Sequence, residues 1–259
     1  MSLTIDDVDA FALRLDDAAC AAKAVPMLTA ERPFGLAEAY AIQRAGAELR
    51  RARGDVLVGM KMGLTSRAKM VQMGVHEPIY GHLHRAMILE DGGTIERSAH
   101  VHPRVEPEVA YLLNHGLEGP VTPAQALAAV ECCCCALELI DSRYQDFKFT
   151  LPDVVADNAS SARFVLGSVR KPRDFDCGNL GMVLEKNGVV AEIGSSAAIY
   201  DHPARSLAAL VNQLAASEQR LCAGMIVMTG GATAAIVLAP GDHVRVRVDG
   251  LGSAELFVV

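Results

Sequence analysis

Val105-Glu106-Pro107-Glu108-Val109-Ala110-Tyr111-Leu112-Leu113 reads as a strand, rich in β-branched and aromatic residues. Strand side chains alternate with a period of two, so Glu106 and Glu108 share a face, about 6–7 Å apart along the chain. An unpartnered carboxylate among such apolar neighbours is costly. A third glutamate, Glu138, lies about one helix and one strand further on, in Ala136-Leu-Glu-Leu-Ile-Asp141, again with apolar residues on both sides. Together they predict one hard divalent cation bridging Glu106 and Glu108, with Glu138 as a further oxygen ligand from a neighbouring strand. Open positions would remain for water or a chelating substrate, as octahedral Mg²⁺ or Mn²⁺ prefers. The plainer reading puts the paired glutamates in solvent on a half-exposed antiparallel strand. Against it, Pro107 fits an edge or rim position better than a central strand, and rims are where sites are built.

At 259 residues and 51% hydrophobic content, the chain can bury one substantial core with a smaller appended lobe. A formal net charge of −7, with no lysine and arginine stripe interleaved with aromatics, argues against nucleic acid or an anionic membrane surface. The expected partner is a small molecule or another protein. No apolar run approaches the ~20 residues of a membrane span. Met1-Ser-Leu-Thr-Ile-Asp-Asp7 lacks the basic and apolar regions of a signal peptide, so a cytoplasmic location is expected. The seven cysteines include the run Cys132–Cys135, which is no zinc pattern, because tetrahedral sites use spaced pairs. A helix running from about Pro123 is expected to carry these residues as small apolar substitutes for alanine, kept as thiols by a reducing compartment.

Residues 4–53 predict amphipathic helices, with a break at Val25-Pro26 and an end at Gly54. Val56–Gly63 reads as a short buried strand, and Thr65-Ser-Arg-Ala-Lys-Met-Val-Gln-Met73 as a capped helical turn. Beyond Glu77 strand-like runs dominate, at 87–89, 105–113, 136–142, 161–169, 179–186, 189–194, 225–229, 234–238, 243–248 and 253–258. Helices are expected at about 123–133 and 203–217, and turns at Lys186-Asn-Gly-Val189 and Ala239-Pro-Gly-Asp242. The fold class is therefore α+β. A mainly helical N-terminal lobe over residues 1–80 shares a contact surface with a mixed, mostly antiparallel β domain over residues 81–259.

Other residues carry chemistry of lower specificity. Lys61, in Gly59-Met-Lys-Met-Gly63, either holds a substrate carboxylate or moves a proton, or else snorkels from a strand end. Asp153 and Asp157-Asn-Ala-Ser-Ser161 either line a pocket or form ordinary turns. Thr229-Gly-Gly-Ala-Thr233 would let backbone approach an anionic substrate, or simply turn between strands. His82/His84 and His100/His102 lack an evident third zinc ligand and read as surface-loop histidines. No Gly-x-Ser-x-Gly is present, so a serine-hydrolase reading fails.

Lys61-Met-Gly-Leu-Thr-Ser-Arg-Ala-Lys-Met70, Met73-Gly-Val-His-Glu-Pro-Ile-Tyr-Gly81, Pro103-Arg-Val-Glu-Pro-Glu108, Ala136-Leu-Glu-Leu-Ile-Asp-Ser-Arg-Tyr144 and Asp157-Asn-Ala-Ser-Ser161 occur in that order. Together they resemble the 2-keto-4-pentenoate hydratase and 4-oxalocrotonate decarboxylase family of the fumarylacetoacetate hydrolase superfamily. The likeness implies the β-roll or barrel domain of that superfamily and a Mg²⁺ or Mn²⁺ lyase of aromatic meta-cleavage catabolism. It implies Glu106, Glu108 and Glu138 as metal ligands and Lys61 as the lysine of the Lys-x-Gly motif. The loop serine maps onto Ser161 or Ser160. Lys61 and Ser161 form the expected catalytic pair, with Leu64, Glu77, Ile79, Asp157, Ser160 and Thr229 facing the substrate.

Hydratases of this family resemble Gly-Val-Asp-Gln-Pro-Asp-Phe-Gly, with an acid where this chain has Ile79. Adding water needs a group that delivers a proton and activates the water, whereas decarboxylation needs mainly an electron sink. Ile79 therefore favours loss of CO₂ from a 2-oxo dicarboxylate such as 4-oxalocrotonate, giving 2-hydroxypenta-2,4-dienoate. Hydration of 2-keto-4-pentenoate stays open because Glu77 stands close by. A non-enzymatic acidic scaffold is the reading from another class, and a C–C hydrolase is disfavoured because no His-Glu pair lies near the metal segments. The resemblance also implies a homo-oligomer or a complex with the companion hydratase.

Overall fold

Three helices open the chain: α1 (Ile5–Ala21), α2 (Leu28–Glu31) and α3 (Leu36–Ala52). The computed structural model describes residues 3–67, 70–71, 74–171, 176–217 and 219–259. Thr4 starts α1 through a reciprocal cap: its hydroxyl accepts from the Asp7 N–H at 3.2 Å, and Asp7 Oδ2 accepts from the Thr4 N–H at 2.8 Å. Glu38 closes the start of α3 by accepting from the Gly35 N–H at 2.7 Å. One face of this lobe, including Phe11, Leu15, Leu28 and Ile42, packs on Ile79, Tyr144, Val154 and Val155.

The rest of the chain contributes β1 (Leu57–Gly63), β2 (Ile79–His84), β3 (Ile88–Leu89), β4 (Gly93–Ile95), β5 (Arg104–Leu113), α4 (Pro123–Ala128), β6 (Val130–Ile140), α5 (Leu151–Ala156), β7 (Ser161–Arg170), β8 (Gly181–Lys186), β9 (Val189–Ser195), α6 (Pro203–Ala215), β10 (Ile226–Met228), β11 (Ile236–Val237), β12 (His243–Val248) and β13 (Gly252–Val258). The larger sheet runs β2-β1-β10-β5-β6-β7-β3, with β11 joining β5, and the smaller runs β4-β13-β12-β8-β9. Pairs β1–β10, β3–β7 and β4–β13 are parallel, and the others are antiparallel. The β domain is thus mixed and mostly antiparallel, as expected.

The pleat sorts β5 and β6 into two faces. Val105, Val109, Tyr111, Cys133, Cys135, Leu137 and Leu139 pack with Leu184, Val244, Val246 and Leu256 of the smaller sheet and with Leu207, Leu210 and Val211 of α6. Ala110, Cys134 and Ala136 turn the other way, toward Leu83, Met87, Phe164 and Met228. Glu106, Glu108 and Glu138 are in phase with this second face.

Several expectations need correction. The helix predicted to 133 stops at Ala128, and Cys132–Cys135 lie in β6. Their burial is as predicted, but pairing with β5 overrides a run whose alanines continue the helical texture. The strand was hard to read because both of its faces are buried, which removes the alternation of polar and apolar residues. For the same reason β2, buried at every position, went unread, and His82 and His84 lie in it rather than in a surface loop. Within residues 1–80 the helices α1–α3 end at Ala52, and β1 and the start of β2 belong to the large sheet. Asn187 and Gly188 make the predicted hairpin turn with φ of 56° and 76°. Of the turn expected at 65–73, Ala68, Lys69, Gln72 and Met73 lie outside the described residues. Among the described residues no helix is long and apolar enough to cross a membrane.

Candidate metal centre and active site

Glu106 on β5 stands directly opposite Glu138 on β6, and Glu108 stands opposite Ala136. Facing side chains on antiparallel strands are near neighbours. Two strands therefore suffice to gather three carboxylates, with one oxygen of each within 4.8 Å of the others. Glu108 and Glu138 are fully enclosed, and Glu106 nearly so. Glu108 Oε2 accepts from the Gly230 N–H at 2.8 Å, whereas its Oε1 has no hydrogen-bond partner among the described residues. Burial, reinforced by the charges of Glu138 and Glu106, holds the Glu108 carboxyl well above its ordinary range. Burial raises Glu138 as well, against the pull of Lys61. Clustered, buried, all-oxygen donors with an orphaned acceptor fit a hard divalent cation.

The backbone around Pro107 explains how the cluster is closed over. β10 leaves β5 at Met228, opposite Ala110, and β11 rejoins it at Ile236, opposite Val105. Between them the chain leaves the regular ladder and arches over β5, still donating to the Val109 carbonyl from Thr229 N–H at 3.1 Å. The Pro107 carbonyl accepts from the Ala232 N–H at 2.9 Å, so the side of Pro107 that lacks a donor faces this arch rather than β6. A methyl group at Gly231 would lie 2.3 Å from Glu106 Oε2, and Gly230, at φ +113°, closes on Thr65. These two glycines let the arch seal the carboxylates.

Lys61 reaches the same face from β1, while its neighbours Met60 and Met62 enter the core behind. It is buried, with Nζ 2.9 Å from Glu138 Oε2 and donating to the Ala159 carbonyl at 3.0 Å. The contact with Glu138 is an ion pair by distance, although its angle is poor for a hydrogen bond. Ser161 Oγ donates to Glu138 Oε1 at 3.1 Å, and the buried Ser160 hydroxyl has no partner among the described residues. A methyl group on Gly63 would touch both Ile79 Cγ1 at 3.2 Å and Lys61 Nζ at 3.7 Å, so Ile79 and the amine both flank Gly63.

Other expected residues are placed differently. Asp157 is paired within the protein: Arg143 donates to both of its carboxylate oxygens, through its guanidinium and its backbone N–H. Thr229 Oγ1 donates to the Val109 carbonyl at 2.7 Å, and the Gly230 N–H of its loop donates to Glu108. Leu64, with φ 57°, leans on the helical lobe's cluster. Glu77 is exposed at an open cavity of about 1230 Å³ that Ile79 also lines. Asp153 accepts from Thr29 and Thr150 and thereby caps α5. Neither histidine pair joins a metal-binding cluster; among the described residues Glu106, Glu108 and Glu138 form the group found. Sequence reasoning missed Arg143, the Ala159 carbonyl and the Gly230 N–H. Backbone groups leave no mark in a sequence, whereas Arg143 sat within a quoted motif as a charge beside apolar residues.

With this geometry in view, residues 57–259 match the model of the fumarylacetoacetate (FAA) hydrolase C-terminal family. A 4-oxalocrotonate decarboxylase of Pseudomonas sp. is 51% identical over 246 residues, 95% of this chain and 96% of that protein. A 2-hydroxyhexa-2,4-dienoate hydratase of Comamonas testosteroni is 34% identical, covering 94% of each chain. Among solved structures, the 4-oxalocrotonate decarboxylase of Pseudomonas putida G7, complexed with magnesium and adipate, superimposes with a TM-score of 0.97 at 42% identity over 99% of both chains.

Proposed function

The chain belongs to the fumarylacetoacetate hydrolase family, and from that premise we propose that it is a Mg²⁺- or Mn²⁺-dependent lyase that decarboxylates 4-oxalocrotonate to 2-hydroxypenta-2,4-dienoate and CO₂. The observation that carries this reading is the buried triad of Glu106, Glu108 and Glu138, with its orphaned oxygen, beside the Lys61 amine. Those glutamates would hold the cation, which when bound acts as a Lewis acid toward a 2-oxo acid and is worth several kcal/mol to a developing negative charge.

The chain's own groups do the rest. Lys61 offers its ammonium to a substrate oxygen and balances charge as the C5–C6 bond breaks and its electron pair moves through C4 and C3 to the C2 carbonyl oxygen. CO₂ leaves with no water consumed. Ile79, buried beside Gly63, keeps water from the departing carboxylate and favours its neutral product. Ser161 orients Glu138, and the Ser160 hydroxyl, without a partner among the described residues, donates to a substrate carboxylate.

Hydration is the second reading, supported by the 34% identical hydratase. It is weaker because Ile79 stands where an acid would be needed and Glu77 is exposed. Purified protein with Mg²⁺ should release CO₂ from 4-oxalocrotonate and leave 2-hydroxypenta-2,4-dienoate unchanged. Accumulation of 4-hydroxy-2-oxopentanoate from the latter would reverse the assignment. The reading extends to a homo-oligomer, or a mixed one with the hydratase that consumes the product, supported by exposed Val189, Val190 and Ile193 along β9. Co-elution of the two enzymes tests it. A cytoplasmic site of action is supported by the free thiols.

A further inference from the structure

Asn158, Ala159 and Ser160 are consecutive non-glycine residues with φ of 52°, 50° and 59°. Each is costly in the left-handed region, and such a run persists where its surroundings over-determine it. Arg143, buried just beyond the end of β6, supplies much of that constraint. Its guanidinium donates to Asp157 Oδ1 and to the carbonyls of Asp141, Asp157 and Ser161, and its backbone N–H donates to Asp157 Oδ2 at 3.0 Å. One side chain therefore ties both ends of the loop to the segment that follows β6. From the opposite side Asn158 clips the loop to β2, accepting from the His82 N–H at 2.7 Å and donating to the His82 carbonyl at 2.9 Å. Gly81 permits the approach, because a methyl group there would lie 2.6 Å from the Asn158 carbonyl oxygen.

What the strained loop presents inward is the Ala159 carbonyl, which accepts from Lys61 Nζ at 3.0 Å. The lysine's other anchor, Glu138, is a carboxylate facing the proposed cation. The carbonyl thus fixes the direction of a flexible side chain.

We infer that Arg143 is a positioning residue for Lys61, acting through the left-handed loop 158–160. The inference rests on the reading that Lys61 contacts the substrate. Without the guanidinium the loop is free to relax, the carbonyl moves, and the ammonium leaves its line to the substrate. A displacement of about 1 Å at a reacting centre costs on the order of a hundredfold in rate. Lysine at position 143 would not substitute, because a compact ammonium cannot span four acceptors arranged around a planar fork.

The test measures kcat with 4-oxalocrotonate and the dissociation constant of adipate for Arg143→Gln in two backgrounds, parent and Lys61→Met. Circular dichroism and Mn²⁺ titration first establish that the fold and the glutamate site persist. In the parent, kcat should fall on the order of a hundredfold and adipate binding should weaken, with Mn²⁺ affinity kept. In the Lys61→Met background the same substitution should change either quantity by less than about twofold, because the group it positions is gone. Losses that multiply across the two backgrounds, or a parent-like kcat for Arg143→Gln beside an impaired Lys61→Met, would overturn the positioning role alone. A Lys61→Met protein with parent-like kcat and adipate binding would instead overturn the assignment of Lys61, and this inference with it. Should Arg143→Gln not fold, Asn158→Gly removes the β2 clip while tolerating positive φ, and the same two-background comparison decides whether the loop acts through Lys61.

Discussion

Along the β5–β6 ladder, Ala110 and Cys132–Cys135 occupy one end and Glu106, Glu108 and Glu138 the other, and both ends are sealed from water. At the thiol end burial suits the side chains. It pushes Cys134 and Cys135 up to about 12, so they stay neutral and pack as small apolar groups. At the carboxylate end burial works against the charge, and Lys61 meets one of the three glutamates, Glu138, as an ion pair. The same pair of strands thus shows that burial alone says little about function. A charged cluster buried against its own solvation does, because the fold must be offset by something that binds there.

The sharpest way to break this contrast is Glu108→Gln. It should lower Mg²⁺-dependent turnover by about a thousandfold or more, the scale of several kcal/mol of charge stabilisation. In chelator it should raise stability by about 1–3 kcal/mol, since a buried charge without a full partner set is removed. Steady-state kinetics and denaturant melts read the two effects; unchanged turnover would equate the two ends of the ladder.

His82 extends the comparison to a buried titratable group that meets burial by losing its proton. Burial, helped by His84 and Arg44, lowers its pKa from 6.5 to about 4. A depressed histidine binds its proton more tightly when unfolded, so its contribution is fully present above about pH 6.5 and is lost as pH falls toward 4, by up to about 3 kcal/mol. Asp157, pushed up to about 6 by burial against the pull of Arg143, has the opposite sign over much of that window. The histidine's share is therefore the difference in slope between the parent and His82→Gln in pH-dependent melts. Parallel slopes would remove it.

Added Mg²⁺ at about 100 times its dissociation constant should stabilise the parent by about 2.7 kcal/mol and Glu106→Gln much less. Thermal melts with and without the ion check this, and equal shifts in both proteins would separate the ion from the carboxylates. The smallest effect belongs to the thiol end. Cys134→Ala should cost about 1 kcal/mol in stability and leave kcat unchanged, and a large loss of turnover would mean that the two ends are not separable.

Several features were legible because they are local. Glu106 and Glu108 share a face by the strand's period alone, and the Asn187-Gly188 turn needs no more than its two residues. The Cys132–Cys135 strand and β2 were illegible because their burial on both faces erases the alternating pattern. The partner of Asp157 was illegible for a different reason: a sequence shows an acid in a loop but not which arginine, here 14 residues earlier, pairs with it.

The sequence by itself determined which residues could hold a cation and that they sit in apolar surroundings, because composition and a two-residue period depend on neighbours along the chain. Tertiary structure alone decided that Glu138 faces Glu106 across a ladder and that β10 and β11 part around Pro107, where the intervening arch closes over the cluster. It also decided that Lys61 donates to a carbonyl 98 residues further along the chain. Those are questions of register and long-range hydrogen bonding, whose free energy is realised when distant segments pack.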